Sequence, residues 1–250
     1  MAFGTDKPRK IKEISMEKKR RVLLKLSGEA LSGDKGFGFD EETIKGVGLQ
    51  IKRALDEGIE IAIVTGGGNF WRGANTDAVE RVKADQIGML ATAMNCLFVS
   101  SLFKKLGMET VVFCSFDIAG AVKLFNFDDV EDSLEAGKVV FFAGGTGHPY
   151  FTTDTGVVLR AIEMHADELL MAKSVDGVYD KDPVKYPDAV KYESVTLDEM
   201  VEKHLRVIDI AASALALDNR MPMAVFGLDG EDAIYKALKG EITGTRITAG

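Results

Sequence analysis

The sequence is poor in cysteine and in proline. Its 250 residues include only two cysteines, Cys96 and Cys114, and five prolines. Both cysteines have apolar neighbours, and their separation does not match the spacing of metal ligands, so we expect reduced core residues. This weakly favours a cytoplasmic location. Because no stretch rich in proline, glycine or serine divides the chain, we expect one domain over residues 21–250.

Excess positive charge and long apolar runs are also lacking. A net charge of −8 argues against a nucleic-acid partner, because binding to a phosphate backbone needs a basic surface. No continuous apolar run reaches the ~18 residues needed to span a membrane, so no membrane partner is expected. Residues 1–21 carry eight Lys or Arg and three acids without the apolar segment of a signal peptide. We expect residues 1–20 to form a basic, disordered tail.

Two common phosphate-binding motifs are missing, namely the G-x-x-x-x-G-K-[ST] loop and G-x-G-x-x-G after a strand. The chain has instead three apolar runs that end in glycines, near Gly28, at 66–68 and at 144–147. Buried strands read as such runs, and the ends of parallel strands meet at one edge of a sheet. Bare backbone N–H groups at that edge suit a polyphosphate.

Strand and helix patterns alternate along the chain. Predicted strands cover 22–26, 59–65, 110–114, 138–143, 168–172 and 223–226, and predicted helices start near Asp40 and cover 77–106, 153–165, 197–204, 209–219 and 231–239. Such alternation predicts an α/β fold with a mostly parallel central sheet sandwiched between helices.

Two cationic residues lie next to the glycine-rich turns. Lys25 is inside the first strand, where a lysine is costly unless it meets an anion or faces solvent on an edge strand. Facing the edge, its ammonium could stabilise a transferring phosphoryl group. Arg72 follows the second turn and could bind a phosphate through two hydrogen bonds.

The segment 144–154 combines small residues and hydroxyls ahead of a helix. Thr152 and Thr153 could donate hydrogen bonds to a phosphate or a base, and Tyr150 and Phe151 could pack on a ring. Asp154 is either an ordinary first-turn acid or a group that orients lysines. His148 is not needed as a general base if the acceptor is an already ionised phosphate.

Two further segments leave alternatives open. Tyr179 could stack on a purine and Asp182 could accept from a ribose or amino group, but an ordinary turn explains this loop equally well. Asp85 is either a solvated acid or an acceptor for ribose hydroxyls. The small residues Gly88, Ala91 and Thr92 would allow close packing of a second helix, which could belong to another subunit.

Together these segments resemble the bacterial uridylate (UMP) kinases of the amino-acid-kinase superfamily, from Arg21 to the end. The resemblance implies transfer of the γ-phosphoryl group of ATP to UMP, giving UDP, in pyrimidine nucleotide biosynthesis. It implies Mg²⁺ carried with ATP, with no metal-ligating side chain assigned. It also implies a homohexamer built from dimers, with UTP as an inhibitor and GTP as an activator.

Carried over by position, the resemblance assigns the site residues. The catalytic residues would be Lys25, Arg72 and Asp154. ATP would be bound by Lys25, Leu26, Ser27, Gly28, Gly68, Arg72, Lys173, Tyr179 and Asp182. UMP would be bound by Gly67, Asp85, Thr146, Gly147, His148, Pro149, Tyr150, Phe151, Thr152 and Thr153. The loop linked to GTP activation would be Gly33, Asp34, Lys35, Gly36, Phe37 and Gly38.

The chain departs from the family pattern in places. Lys173-Ser174 stands where members have Thr-Lys or Lys-Asn-Gly, the stretch after Gly73 is short, His148 replaces asparagine, and residues 113–127 differ. Two other functions compete: a kinase of the same superfamily acting on acetylglutamate or aspartate, and a nucleotide sensor or oxyanion store without catalysis. Asp85 and the pair Thr152 and Thr153 favour a nucleotide acceptor over the former. The joint presence of Lys25, Arg72 and Asp154 argues against the latter.

Overall fold

The computed structural model describes residues 18–71, 78–203, 205, 207–248 and 250. The strands are β1 (Arg21–Leu26), β2 (Glu60–Thr65), β3 (Thr110–Cys114), β4 (Lys123–Leu124), β5 (Val139–Ala143), β6 (Glu168–Lys173), β7 (Ser194–Thr196), β8 (Met223–Gly227) and β9 (Thr245–Thr248). The helices are α1 (Gly28–Ser32), α2 (Glu41–Asp56), α3 (Arg81–Lys105), α4 (Phe127–Glu135), α5 (Thr153–Glu163), α6 (Leu197–Glu202), α7 (Ile210–Asp218) and α8 (Ala233–Lys239). A single 3₁₀ turn covers Gly33–Lys35.

These strands form one sheet in the order β4-β3-β5-β2-β1-β6-β8-β9-β7. Seven neighbouring pairs are parallel, and β8 and β9 are antiparallel, so β9 and β7 run against the rest. The predicted mostly parallel α/β sheet is confirmed. The strands β4, β7 and β9 and the helices α1 and α4 were not predicted.

The two faces of β1 belong to different layers of the core. Val22, Leu24 and Leu26 are buried against α2, α3 and α8. Leu23 is buried on the opposite face against α4, α5 and α7. Because side chains alternate along a strand, Lys25 shares the face of Leu23 and is directed toward the layer that contains α5.

Helix α2 begins and ends as its sequence predicts. The Asp40 carboxylate accepts a hydrogen bond from the Thr43 N–H at 3.0 Å and so caps the helix. Gly58 follows with a φ of 87°, which suits the chain reversal after the last turn. Ile44 and Ile51 on the predicted inner face are fully buried.

Helix α3 is long and partly apolar. By length and composition alone it could cross a membrane, in contrast to the expectation from the sequence. Of its most apolar 18-residue stretch, 44% is buried inside the structure. Cys96 and Phe103 on its inner face are buried in the sheet layer, as a core helix requires. The prediction that both cysteines are reduced core residues is confirmed, since both are free and buried. Burial raises the pKa of the Cys96 thiol to about 12.

An ionic network covers the amino-terminal edge of the sheet. Arg21 bonds to Glu60 at 2.7 Å and to Glu131 at 2.5 Å, while Arg20 bonds to Glu168 at 2.5 Å. Lys18 pairs with Asp167 at 2.6 Å. These ion pairs attach Lys18 and Arg20, at the end of the predicted tail, to the fold. The tail over residues 1–20 stays a prediction. Residues 1–17 lie outside the described part of the chain.

Candidate active site

Two lysines and one aspartate converge at the carboxyl edge of the sheet. In the β1–β6 register Lys25 is the partner of Met171, so Lys173, two residues further, projects from the same face. The Lys25 Nζ forms an ion pair with Asp154 Oδ1, and the Lys173 Nζ lies 3.9 Å from Asp154 Oδ2. The side chain of Lys25 is 13% exposed, that of Lys173 is 25% exposed and that of Asp154 is 17% exposed. Lys25 therefore faces an anion inside the fold and not solvent.

This cluster has one more positive than negative charge in a partly dry environment. Burial lowers the pKa of Lys173, and the Lys25 charge acts in the same direction, while Asp154 opposes both. The Lys173 ammonium also donates to the Val207 carbonyl oxygen. The excess charge makes the cluster a suitable place for a phosphoryl group that bears negative charge.

Two of the glycine-rich turns pack so closely that side chains are excluded. A Cβ on Gly28 would lie 2.7 Å from the Gly68 nitrogen, and a Cβ on Gly67 would lie 2.9 Å from the Gly88 carbonyl oxygen. The expected packing of Gly88, Ala91 and Thr92 on a helix of another subunit stays a prediction, whereas within the chain these residues adjoin glycine-rich turns. Gly88 and Ala91 pack on the turn at Gly67, and the Thr92 Oγ1 accepts the Gly144 N–H at 2.8 Å.

A cleft of about 300 Å³ opens between this turn, α3 and the segment 145–153. It is lined by Gly67, Gly68, Trp71, Arg81, Ala84, Asp85, Gly88, Met89, Thr92, Gly145, Thr146, His148, Phe151, Thr152 and Thr153. Seven of the ten residues assigned to UMP thus share one cleft. Gly147, Pro149 and Tyr150 do not line it, although Tyr150 belongs to the same loop.

Asp85 connects α3 to that loop. Its Oδ2 accepts the Tyr150 N–H at 2.8 Å and the Arg81 Nε–H at 2.8 Å. Its side chain is 19% exposed. A carboxylate held in place at a cleft wall, with lone pairs remaining, is arranged to accept hydrogen bonds from a ligand.

All the hydrogen-bonding capacity of the Thr152 hydroxyl is satisfied by groups of the protein. It accepts the N–H groups of Asp154 and Thr155 as the cap of α5 and donates its own hydrogen to Asp209. Asp209 also caps α7 through the Ala212 N–H at 2.9 Å. Although partial burial acts to raise it, hydrogen bonds from Thr152, Ala212 and Thr155 hold the pKa of Asp209 below its usual value.

Asp209 is a site-forming residue that the sequence reasoning missed. The sequence placed it at the start of a helix, which is correct as a capping signal. Its second partner, Thr152, is 57 residues away in the chain, and no local pattern reports such a contact.

A second cleft of about 500 Å³ includes Lys173 of the charge cluster in its lining. It is lined by Lys173, Val175, Gly177, Val178, Tyr179, Asp180, Lys181, Asp182, Pro183, Lys185, Leu205 and Val207. The Tyr179 hydroxyl donates to Asp176 at 2.7 Å, and Asp182 accepts the Val184 N–H at 3.0 Å. The fold thus brings Lys173, Tyr179 and Asp182 together.

Other assigned residues lie elsewhere. Leu26 is buried, and Ser27 caps α1 by accepting the Ala30 N–H at 3.1 Å. The loop 33–38 contributes no residue to the described lining of either cleft. Arg72 lies outside the described residues. Within the described residues, no group of three or more His, Cys, Asp or Glu side chains could hold a metal ion.

Known proteins resemble this chain in sequence and in fold. The sequence pattern of the amino acid kinase family matches residues 20–227. The structure is similar to that of UMP kinase from Bacillus anthracis, with 35% identity, a TM-score of 0.88 and coverage of 92% of this chain and 96% of that one. It is also similar to UMP kinase from Ureaplasma parvum, with 33% identity, a TM-score of 0.87 and coverage of 93% and 100%.

Uridylate kinase from Archaeoglobus fulgidus is more distant, with 28% identity, a TM-score of 0.69 and coverage of 91% and 99%. The resemblance inferred from the sequence motifs is thereby confirmed. The chain belongs to the amino acid kinase family, and within that family it resembles the bacterial UMP kinases.

Proposed function

We propose that this protein transfers the γ-phosphoryl group of ATP to UMP, giving UDP and ADP, as a step of pyrimidine nucleotide biosynthesis. The observation that carries this proposal is the cluster of Lys25, Asp154 and Lys173. Lys173 lines one cleft, and Thr153, which precedes Asp154, lines the other. A transferring phosphoryl group needs fixed positive charge where donor and acceptor meet. The similarity to UMP kinases supports UMP as the acceptor.

The two clefts are assigned by their chemistry. The cleft with Tyr179 and Asp182 offers an aromatic ring and a carboxylate, which suit the adenosine of ATP. The cleft with Asp85 offers an acceptor for ribose hydroxyls beside the backbone of Gly67 and Thr146, which suits UMP. Leu26, Ser27, Gly28, Gly68 and Arg72 complete the proposed ATP phosphate site. Gly147, Pro149 and Tyr150 complete the proposed UMP loop.

In the proposed reaction an ionised oxygen of the UMP phosphate attacks the γ-phosphorus of ATP, and the bond to the bridging oxygen breaks. No general base is needed, because the attacking oxygen carries no proton to remove. Lys25 and Lys173 stabilise the charge on the transferred group, and Arg72 binds phosphate oxygens. Asp154 holds both lysines in place and takes no part in proton transfer.

Mg²⁺ fits this site as an ion carried by ATP. Among the described residues no carboxylate cluster stands ready as a ligand set, and Asp154 is engaged by the two lysines. Mg²⁺ commonly keeps several waters and binds mainly through substrate phosphates. When bound it would neutralise charge on the triphosphate.

The proposal extends to assembly and location. Four apolar residues with 36–48% exposure follow one side of α3 at spacings of three and four, namely Ile87, Leu90, Met94 and Leu97. Such a stripe suits contact with another copy of the chain, which supports a homohexamer built from dimers. We further propose a cytoplasmic enzyme without nucleic-acid or membrane partners. GTP activation through the loop Gly33–Gly38 and UTP inhibition rest on the sequence resemblance.

The test is coupled ADP release from Mg·ATP with UMP, CMP, acetylglutamate and aspartate offered separately. Fast release with UMP alone is expected. Turnover with an amino-acid acceptor and none with UMP would assign the chain to another kinase of the family. ATP binding without turnover on any acceptor would instead favour a nucleotide sensor or store.

A further inference from the structure

A pair of buried asparagines adjoins the glycine turn at 66–68. Asn69 follows the turn and Asn95 lies in the middle of α3, and they are 1% and 0% exposed. The Asn69 amide donates to Asn95 Oδ1 at 3.0 Å, and the Asn95 amide donates to Asn69 Oδ1 at 2.8 Å. Two buried amides thus satisfy each other in both directions, where an unpaired polar group would be costly.

Each amide has a second hydrogen bond to a backbone carbonyl. Asn95 Nδ2 donates to the Gly66 oxygen at 2.6 Å, and Asn69 Nδ2 donates to the Gly38 oxygen at 2.9 Å. Together with the reciprocal pair, these bonds use all four side-chain N–H donors. Because the two carbonyl oxygens can only accept, the orientation of both amides is determined. The pair therefore joins α3, the glycine turn and the loop that ends at Gly38.

Further contacts make this junction stiff. The Gly38 N–H donates to the Asn69 carbonyl oxygen at 3.1 Å, so Asn69 contacts Gly38 through backbone and side chain. The Phe70 ring packs edge-on against Phe37 and Phe39 at 5.4 and 5.2 Å, and Phe39 stacks on Phe98 of α3 at 3.8 Å. Backbone and ring contacts thus connect the same three segments.

The glycine turn has little room to move inside this junction. The Gly66 N–H donates to the Leu26 oxygen at 3.0 Å, while Asn95 holds the Gly66 carbonyl oxygen. A Cβ on Gly28 would meet both Asn69 Oδ1 and the Gly68 nitrogen at 2.7 Å, so backbone and amide are already in close contact. The Asn69 side chain thus lies directly against Gly28, where α1 begins, and beside the backbone of the turn.

We propose that Asn69 and Asn95 are positioning residues for phosphoryl transfer. They hold the glycine turn so that its backbone meets the phosphates, and they make the placement of the loop 33–39 depend on α3. The inference rests on the proposed function, because it takes the turn as a phosphate site. Neither asparagine contacts substrate in this scheme, and their effect is exerted through Gly66 and Gly38.

The first test compares Asn95→Ala with two variants on the same helix. Ser100→Ala removes a buried hydroxyl whose bond, to the Leu97 oxygen at 3.1 Å, stays within α3. Phe103→Leu destabilises the core at a residue that packs on Phe141 and lies eight residues beyond Asn95 in α3. We expect kcat of Asn95→Ala to fall on the order of 100-fold, with smaller changes in both KM values, because small misplacements of binding groups have effects of this size. The two control variants should keep near-normal kcat.

The second test needs no substrate. Amide hydrogen exchange, followed by mass spectrometry, should become faster in Asn95→Ala at 66–71 and also at 33–39. The side-chain hydrogen bonds of Asn95 are to Asn69 and Gly66, so an effect at 33–39 must pass through Asn69. If Asn95→Ala does not fold, the milder Asn95→Ser, which retains one hydroxyl donor, serves in both measurements. Unchanged exchange at 33–39, or a kcat loss equal to that of Phe103→Leu at equal loss of stability, would overturn the inference. Absence of UMP phosphorylation by the unmodified protein would overturn the proposed function itself, and with it the catalytic consequence of the pair.

Discussion

Replacing Lys25 by methionine separates the catalytic role of the charge cluster from its effect on stability. Methionine is unbranched like lysine and only one atom shorter, and it carries no charge. Removing one fixed charge or donor from a preorganised site lowers kcat by about 10²–10³-fold, which corresponds to about 3–4 kcal/mol. The Lys25 and Asp154 side chains are only 13% and 17% exposed, so solvent cannot replace the lost ammonium. We therefore expect a kcat loss of that size.

The stability of this variant should change little. Removing one partner of a buried ion pair usually costs about 3–5 kcal/mol, because the other charge is left unpaired. Here Lys173 remains 3.9 Å from Asp154, so the carboxylate keeps a cation and the cluster becomes neutral. We expect a change below about 1 kcal/mol, which is a Tm shift below about 4 °C for a chain of this size.

The pH dependence gives a third measurement. The charge on Lys173 is present below its lowered pKa and is lost as the pH rises through that value, so activity should decline at a pH below the ordinary lysine value of 10.5. In Lys25→Met burial still lowers the pKa of Lys173, but the additional lowering by the Lys25 charge is gone, so the decline of the residual activity should move to higher pH. Lys45→Met, on the exposed side of α2, is the matched control. A folded Lys25→Met protein with kcat within about fivefold of the unmodified protein would refute the reasoning, since a catalytic charge is worth far more than that.

Three other variants test separate parts of the molecule. Asp85→Ala should raise the KM for UMP about 10–100-fold by removing a charged hydrogen-bond acceptor, and an equal rise in the KM for ATP would move Asp85 out of the UMP site. Arg21→Met should cost about 3–5 kcal/mol in urea unfolding by leaving the buried Glu60 unpaired, with kcat per folded molecule unchanged. Asp209→Asn should reduce the acid sensitivity of unfolding. The lowered pKa of Asp209 gives stability that is present above its unfolded value of about 3.9 and is lost as the pH falls through the folded pKa. An unchanged acid profile would show that the titration of Asp209 does not contribute to acid unfolding.

Much of the fold could be predicted because its central strands are continuous apolar runs. All five side chains of β5 and all six of β2 are buried, and such strands are visible without knowing their neighbours. The edges of the sheet carry weaker signals. Strand β4 has two exposed residues, and β9 alternates buried and exposed over four residues. Patterns this short cannot be distinguished from loops.

The candidate site was predictable where the relevant chemistry lies at the end of a strand or the start of a helix. Lys25, Asp85 and Asp154 are of this kind. The pairing of Asp209 with Thr152 was not predictable, because it depends on how α5 and α7 pack. The neighbours of the small residues of α3 within the chain were not predictable for the same reason. A small residue shows that something approaches closely, and only the fold shows that the neighbour is a glycine turn.

The position of Lys173 in β6 determines which face of the sheet its charged side chain lies on. Leu26 and Ala172 are register partners and both lie in the apolar layer on the α3 side. Lys25 and Met171 are register partners on the opposite face, which Lys173 shares. A lysine at 172 would enter an apolar core, whereas a lysine at 173 reaches Asp154. The position of this lysine relative to the following turn differs from the family pattern. Its charge still reaches the site, because side chains alternate between the two faces of β6 and residue 173 lies on the face of Met171.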